Sequence, residues 1–132
     1  MVCSIIGDIA VNERVLRRLE REIENIIGIY DQCFFLVGDM SEFEIAASEI
    51  VKRACRKSYF AGYNTVTCKQ TYALNTIYPD EIWMVKDEYV DIWRNTWMLK
   101  KSSCAIIGMK NRDKLPKIKT IAPMDIIDVS EK

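Results

Sequence analysis

Residues 34–47, which read FFLVGDMSEFEIAA, decide the fold that the sequence predicts. The apolar run Cys33–Val37 overlaps the start of this stretch and has the length and β-rich composition of a fully buried strand. The strand is expected to stop at Gly38–Asp39. Ser41 is followed three residues later by Glu44, which is the spacing of a capping box and predicts a helix opening there. A strand, a tight turn and a helix in this order predict half of a βαβ unit.

The helix after this turn is expected to be amphipathic and to begin at the carboxyl end of the strand. Its apolar residues recur at helical spacing, and they are Phe43, Ala46, Ala47, Ile50, Val51 and Ala54. Open α/β sheets bind ligands at this edge, because unpaired main-chain N–H groups and the positive end of the helix dipole face the crevice. The sequence therefore predicts a binding site here.

The composition is that of one soluble globular domain over residues 1–132, with 49% hydrophobic and 29% charged residues. Nineteen basic and nineteen acidic residues cancel, so no overall field draws the chain to nucleic acid or to an anionic membrane. Nucleic-acid binding and membrane association are therefore not expected. Zero net charge together with three Trp, six Tyr and four Phe residues favours a homo-oligomer.

The cysteine and histidine content restricts the chemistry. There are five cysteines, an odd number without a CxxC motif, which is typical of buried reduced thiols in a cytosolic protein. The chain has no histidine, which removes the commonest general base and the commonest metal ligand. We predict no metal and no cofactor. No run approaches about 18 apolar residues, and the N-terminus lacks a signal-like pattern, so a cytoplasmic location is expected.

A strand and a helix are also predicted before the central stretch. The apolar run Val2–Ile6 predicts a buried strand, ended by Gly7–Asp8. Asn12 is expected to cap the helix that follows, and Gly28 is expected to end it. The helix carries an apolar stripe of Val11, Val15, Leu19, Ile23 and Ile26.

The second half of the chain repeats the alternation with weaker signals. A connection is indicated by Arg56, Lys57, Gly62 and Asn64. The predicted elements are a strand at Thr65–Cys68, a strand at Glu81–Val85, a helix opening at Asp87 or Glu88, a strand at Cys104–Ile107 ended by Gly108, and a last strand holding Ile126, Ile127 and Val129. The buried face of that helix is predicted to hold Tyr89, Ile92, Trp93, Thr96 and Trp97. Residues 110–119 form a basic linker, and residues 120–132 form the last strand and a tail. This alternation predicts an α/β sandwich with a mostly parallel sheet.

Three signatures along the chain resemble the SLOG superfamily of Rossmann-like ligand-sensing domains, in particular its short YpsA-like members. The first is Ile5-Ile6-Gly7-Asp8. The second runs from Phe34 through Gly38 and Glu42-Phe43-Glu44 to Ala46-Ala47. The third is Arg94-Asn95-Thr96-Trp97-Met98, which leads to Cys104–Ile107. Their order and spacing match over about residues 3–108. The resemblance implies a Rossmann-like three-layer sandwich, reduced in size, that binds a nucleotide or a nucleotide-derived signalling molecule.

The sequence also departs from the family pattern. The glycine-rich turn is reduced to Gly38, and Asp8 stands where relatives often have histidine or asparagine. The Pro-Gly-Gly-x-Gly-Thr motif of the phosphoribohydrolase branch is absent, so a hydrolytic activity is not carried over.

The candidate ligand-binding residues lie at the predicted strand ends and on the third helix. They are Gly7, Asp8, Gly38, Asp39, Ser41, Glu42, Arg94 and Asn95. The planar guanidinium of Arg94 suits a phosphate or a carboxylate, and the alternative is a surface arginine paired with Asp91 or Glu88. Asn95 is included on the resemblance alone.

Several of these residues have a structural alternative. Ser41 is expected chiefly to cap its helix, and Glu44 is expected to be its partner in the capping box. Glu42 is then the freer carboxylate and could hold a pair of ribose hydroxyls. Asp8 either accepts from a ribose or base or caps the first helix. The basic residues of 110–119 form either a solvated loop or a segment that closes over a polyphosphate.

The sequence leaves three functions open. The first is non-catalytic binding of a nucleotide or nucleotide-derived signal by a sensor or sequestering protein. The second is a small enzyme acting on an N-glycosidic bond, with Glu42 or Glu44 as nucleophile or base, because carboxylates serve at an oxocarbenium-like centre without histidine. The third is an interaction protein without a small ligand.

Overall fold

A computed structural model describes residues 1–69, 73–111 and 125–130, and within them six strands form one all-parallel sheet. The strands are β1 (Val2–Gly7), β2 (Cys33–Gly38), β3 (Ala61–Val66), β4 (Thr76–Ile77), β5 (Cys104–Gly108) and β6 (Asp125–Asp128). The helices are α1 (Glu13–Ile29), α2 (Glu42–Arg56) and α3 (Val90–Lys100), with short 3₁₀ helices at Ile82–Met84 and Asp87–Tyr89. The predicted α/β class and parallel sheet are confirmed.

The strand order, β4-β3-β2-β1-β5-β6, determines where a ligand site can form. The chain moves outward from β1 to β4 along one half of the sheet and then returns to place β5 on the other side of β1. Cys3 of β1 therefore lies in register with Phe35 of β2 on one side and with Cys104 of β5 on the other. The point where the order reverses lies between β1 and β5, and this is where open α/β sheets leave a crevice.

The helices cover both faces of the sheet and complete a Rossmann-like three-layer fold. Helices α1 and α2 pack on one face, where Leu19 and Phe43 join Ile5 and Phe35 in the larger apolar core. Helix α3 covers the opposite face, where Met98 and Leu99 join a second core with residues of the strands. Adjacent strand residues such as Ile5 and Ile6 point to opposite cores, because strand side chains alternate between the two faces.

Both predicted helix caps are present, but one predicted helix end is wrong. The Asn12 side chain accepts from the Val15 N–H at 2.9 Å, and the Ser41 hydroxyl accepts from the Glu44 N–H at 3.1 Å. Gly28 does not end α1, since the helix continues to Ile29. Gly28 has no positive φ, so the left-handed conformation that favours glycine at a helix end is not used.

The middle of the chain differs from the sequence prediction in two strands. The predicted strand at 81–85 is wrong: Glu81 takes a positive φ of 73° and the chain forms a 3₁₀ turn in which Ile82 is buried while Trp83 and Met84 are exposed. The edge strand is Thr76–Ile77 instead. Strand β3 runs from Ala61 to Val66, so the predicted strand at Thr65–Cys68 is right only for its first two residues, and the expected connection at Gly62 and Asn64 is wrong. Pairing with β2 extends the strand, and Gly62 fits because it lies opposite the Phe34 ring.

Helix α3 buries a different face from the predicted one. Its buried residues are Arg94, Met98 and Leu99. Tyr89 and Ile92, which were predicted to be buried, are 54% and 62% exposed. Apolar residues occupy several faces of this helix, so their spacing alone did not identify the side that meets the sheet.

The last strand is confirmed, with Val129 buried directly after β6. Arg18 of α1 donates to the main-chain carbonyls of Asp128 and Val129, which ties this edge to the first helix.

Most of the predicted basic linker, residues 112–119, lies outside the described residues. None of the helices in the described part of the chain has both the length and the apolar character needed to span a bilayer. All five cysteines are free thiols, and the cytoplasmic location stays a prediction.

Candidate functional site

A cleft of about 310 Å³ lies at the carboxyl ends of β1 and β5, between the N-terminus of α2 and the side of α3. It is lined by Ile6, Gly7, Asp8, Met40, Ser41, Glu44, Asp91, Ile92, Arg94, Asn95, Thr96, Leu99, Met109 and Asn111. Two larger depressions, each of about 450 Å³, are more open and lie along α1 and at the amino end of the sheet. The smaller cleft is at the reversal point of the strand order and is the candidate site.

A buried ion pair forms one wall of the cleft. Arg94 Nη2 lies 2.8 Å from Glu44 Oε2, and each side chain is 2% exposed. The pair needs a glycine at the end of β2, because a Cβ on Gly38 would lie 2.7 Å from Arg94 Nη1 and would overlap the Glu44 carboxylate. The strand end that the sequence marked as a turn therefore also makes room for two charged side chains.

Glu44 has further partners that differ from the predicted capping box. Its Oε1 accepts from the Met40 N–H at 3.0 Å, and its Oε2 also accepts from the Gly7 N–H at 3.4 Å. The expected return bond to the Ser41 N–H is not among these contacts, so Ser41 caps the helix while Glu44 pairs with Arg94. The prediction was wrong for Glu44 because a partner fifty residues away in sequence takes its carboxylate.

Arg94 is buried, and one of its nitrogens has no hydrogen-bond partner among the described residues. Its Nε and Nη2 both donate to Asn95 Oδ1, at 3.3 and 2.7 Å. Its Nη1 is buried and has no hydrogen-bond partner in the described part of the chain, with Asp39 Oδ1 at 4.0 Å. The alternative of a surface arginine paired with Asp91 or Glu88 is wrong. A buried donor without a partner is uncommon, and here it belongs to a side chain that lines the cleft.

The ends of β1 and β5 form the floor of the cleft. The N–H groups of Asp8 and Ile9 both donate to the Gly108 carbonyl, at 2.8 and 3.0 Å. Asp8 Oδ1 accepts from the Lys110 N–H at 2.9 Å. Asp8 therefore joins the two strand ends and does not cap α1, which Asn12 does.

The structure brings five of the eight predicted ligand-binding residues together in the lining: Gly7, Asp8, Ser41, Arg94 and Asn95. Gly38 and Asp39 adjoin Arg94 behind it. Glu42 is exposed and does not line the cleft. Sequence reasoning did not include Asp91 or Met109, and the only available signal was that Asp91 is an acidic residue near a predicted helix start.

The two thiols that lie outside the buried core both have raised pKa values. Burial raises the pKa of Cys55 to about 11, with a smaller contribution from Cys33, so this thiol stays protonated at neutral pH. Burial also raises the pKa of Cys68, whose Sγ lies 3.4 Å from the sulfur of Met40 at the rim. No group of three or more potential metal ligands occurs within residues 1–69, 73–111 and 125–130.

Comparisons of the chain with protein-family models, with curated proteins and with solved structures find no match. The resemblance to the SLOG superfamily therefore stays a prediction. The chemistry of the cleft has to be judged from its own groups. These are one guanidinium nitrogen without a hydrogen-bond partner among the described residues, two exposed carboxylates at Asp8 and Asp91, and apolar walls.

Proposed function

We propose that the protein binds a nucleotide or a nucleotide-derived small molecule in this cleft, without catalysis, as a sensor or a sequestering protein. The observation that carries the proposal is Nη1 of Arg94, a buried donor without a partner among the described residues. Leaving such a donor unpaired costs about 1–3 kcal/mol, more for a charged group. A ligand acceptor that enters the cleft would recover this cost.

The position of the cleft supports the same proposal. It lies at the carboxyl ends of the central strands, where the strand order reverses. Apolar side chains from β1, α3 and the segment after β5 form its walls, and they include Ile6, Leu99 and Met109. Such walls suit the faces of a base, and this combination of apolar walls with a few polar groups is typical of small-molecule sites.

The enzyme alternative has less support. Glu44 already accepts from three N–H groups, those of Arg94, Met40 and Gly7, so most of its acceptor sites are occupied. Glu42 is outside the lining. A compact oligomer without a cleft near Arg94 would have favoured the interaction-protein alternative, and a cleft is present there.

Blocking the cleft tests the proposal. We expect saturating ribonucleosides or nucleotides to raise the melting temperature of the wild type. Ligand at ten times its dissociation constant adds about 1.4 kcal/mol of stability, or roughly 5 °C for a domain of this size. Thr96→Phe should abolish the shift, because Thr96 lines the cleft from α3 and a phenyl ring would fill it. The measurement is differential scanning fluorimetry with a panel of millimolar nucleosides and nucleotides.

The matched control is Lys100→Phe, which adds the same ring to an exposed position one turn further along α3. This variant should keep the ligand-induced shift. If no compound in the panel stabilises the wild type, or if Thr96→Phe responds as strongly as Lys100→Phe, the proposed function is wrong.

We also propose that the protein assembles with a second copy of itself through an apolar surface between β4 and α3. Trp83 and Met84 are 74% and 60% exposed, and Tyr89, which follows them in the chain, is 54% exposed. Large apolar side chains concentrated in this way are uncommon on a surface that stays in water. The zero net charge of the chain leaves little repulsion to oppose self-association.

The oligomer is tested by size-exclusion chromatography with multi-angle light scattering. We expect a dimer for the wild type and a monomer for Trp83→Asp combined with Met84→Asp, because two charges would have to be desolvated in the interface. Tyr59→Asp is the control, since Tyr59 is fully exposed in the loop before β3. A monomeric wild type at about 100 μM, well above the dissociation constant expected for a stable dimer, would contradict this proposal.

A further inference from the structure

From the charges and the size of the cleft, we infer that the site takes an uncharged nucleoside and discriminates against its phosphorylated forms. This inference rests on the proposed function and narrows its ligand class. The ligand would place one acceptor against Arg94 and its hydroxyl groups against acidic side chains. This conclusion does not follow from the sequence resemblance, which leaves phosphorylated nucleotides as the expected ligands.

The first observation is the charge of the lining. The described lining holds three carboxylates, those of Asp8, Glu44 and Asp91, and one guanidinium, that of Arg94. Glu44 and Arg94 neutralise each other at 2.8 Å, which leaves Asp8 and Asp91 without a counter-charge in the lining. Asp8 and Asp91 are both exposed to the solvent of the cleft.

The surroundings of Arg94 reinforce this imbalance. Asp39 Oδ1 lies 4.0 Å from Nη1, the only donor of Arg94 that has no partner among the described residues. Lys110 donates its main-chain N–H to Asp8, but Lys110 does not line the cleft. A phosphate bound at Nη1 would therefore lie beside the Asp39 carboxylate. The guanidinium that binds it would already be neutralised by Glu44.

The second observation is the size of the cleft. A volume of about 310 Å³ is at the lower limit of small-molecule sites, which range from about 300 to 1,000 Å³. This size suits a base and a ribose, and a triphosphate chain would extend beyond the described walls. The apolar residues Ile6, Ile92 and Met109 can pack against a base, and methionine adapts well to flat rings.

The third observation is the hydrogen-bonding complement. Carboxylates only accept hydrogen bonds, so Asp8 and Asp91 match hydroxyl or amino groups, which can donate. The free Nη1 of Arg94 only donates, so it matches a carbonyl or ring-nitrogen acceptor. A nucleoside has both kinds of group, and the phosphates that a nucleotide adds to it offer acceptors only, with no donor for these carboxylates.

The experiment is isothermal titration calorimetry of the four ribonucleosides and their 5′-mono- and triphosphates in magnesium-free buffer with EDTA. We expect the best nucleoside to bind at least about tenfold more tightly than its triphosphate, as expected when two carboxylates near the surface oppose a polyanion. The ratio of the nucleoside affinity to the triphosphate affinity should decrease as the ionic strength rises, because added salt screens the repulsion.

The matched variant is Asp8→Asn combined with Asp91→Asn, two exposed positions where the amide keeps the shape of the side chain. It should bring the affinities for the nucleoside and the triphosphate to within about threefold of each other, since the exposed charges have been removed. Unchanged thermal stability of the double variant would exclude misfolding as the cause.

Two results would overturn the inference, and they differ in what they say about the proposed function. If a triphosphate binds more tightly than its nucleoside, the preference is wrong while nucleotide binding in the cleft stands. If neither class binds at millimolar concentration, the preference and the proposed function fail together.

Discussion

Replacing Arg94 with alanine is expected to lower the free energy of unfolding by about 3–5 kcal/mol, because it leaves the Glu44 carboxylate buried without its counter-charge. Both side chains are 2% exposed, so water cannot solvate the remaining charge. The measurement is urea denaturation followed by tryptophan fluorescence. Weaker ligand binding by Arg94→Ala could result from its lower stability instead of a lost contact with the ligand. Thr96→Phe is therefore the better test of the site.

The chain offers a matched control in a second arginine–glutamate pair. Arg17 and Glu13 of α1 lie 2.6 Å apart, but their side chains are 76% and 80% exposed. Arg17→Ala should therefore cost no more than about 0.5 kcal/mol. The two pairs share the same chemistry, and only burial distinguishes them.

A double-mutant cycle isolates the buried pair. Arg94→Met and Glu44→Gln each remove one charge, and the double variant removes both. We expect the double variant to be more stable than the sum of the single losses predicts, by about 1.5 kcal/mol or more. A loss below about 1 kcal/mol for Arg94→Ala, or additive effects in the cycle, would contradict the buried ion pair.

Gly7→Ala is expected to destabilise the protein by about 3 kcal/mol, because the new methyl group would meet main-chain atoms that cannot rotate away. A Cβ at Gly7 would overlap the carbonyl of Gly108 and would lie 2.8 Å from the ring of Phe43. The ends of β1 and β5 approach each other this closely because both are glycine. Separating them would also break the floor of the cleft, where Asp8 and Ile9 donate to the Gly108 carbonyl.

Gly28→Ala provides the opposite expectation in the same measurement. Apart from its chain neighbours and the backbone of its own helix, no atom lies within 4 Å of a Cβ built at Gly28, and the residue is inside α1. Alanine should therefore stabilise the protein by up to about 1 kcal/mol, since it restricts the unfolded chain and favours the helix. Equal effects of the two substitutions in thermal or urea denaturation would show that the close approach of β1 to β5 is wrong.

The parts of the fold that were predicted correctly depend on local chemistry. The apolar run that forms β2, the Ser41 cap and the Asn12 cap each require only residues that are close in sequence. The alternation of strands and helices then indicated a parallel sheet, because crossover connections join parallel neighbours. The carboxyl edge of that sheet followed as the place for a site.

The wrong predictions concern segments where the local signal was ambiguous. The run at 81–85 is as apolar as a strand, but only Ile82 is buried there. Helix α3 has apolar residues on several faces, so its orientation depended on what it meets in the folded chain. It meets the sheet with Arg94, Met98 and Leu99.

The candidate site also combines features that depend on nearby residues with features that depend on the folded chain. The sequence by itself determined strands β1, β2 and β5 and the helix caps at Asn12 and Ser41, and it brought Gly7, Asp8, Ser41 and Arg94 into consideration. It could not determine the partner of Glu44, because the capping box and the ion pair use the same carboxylate. The partner of Glu44 depends on the crossover that places β5 beside β1 and α3 against the N-terminus of α2. This arrangement buries Arg94 with its Nη2 2.8 Å from Glu44 Oε2. A pairing across fifty residues depends on the distance between two elements in the folded chain, and this distance leaves no local pattern in the sequence.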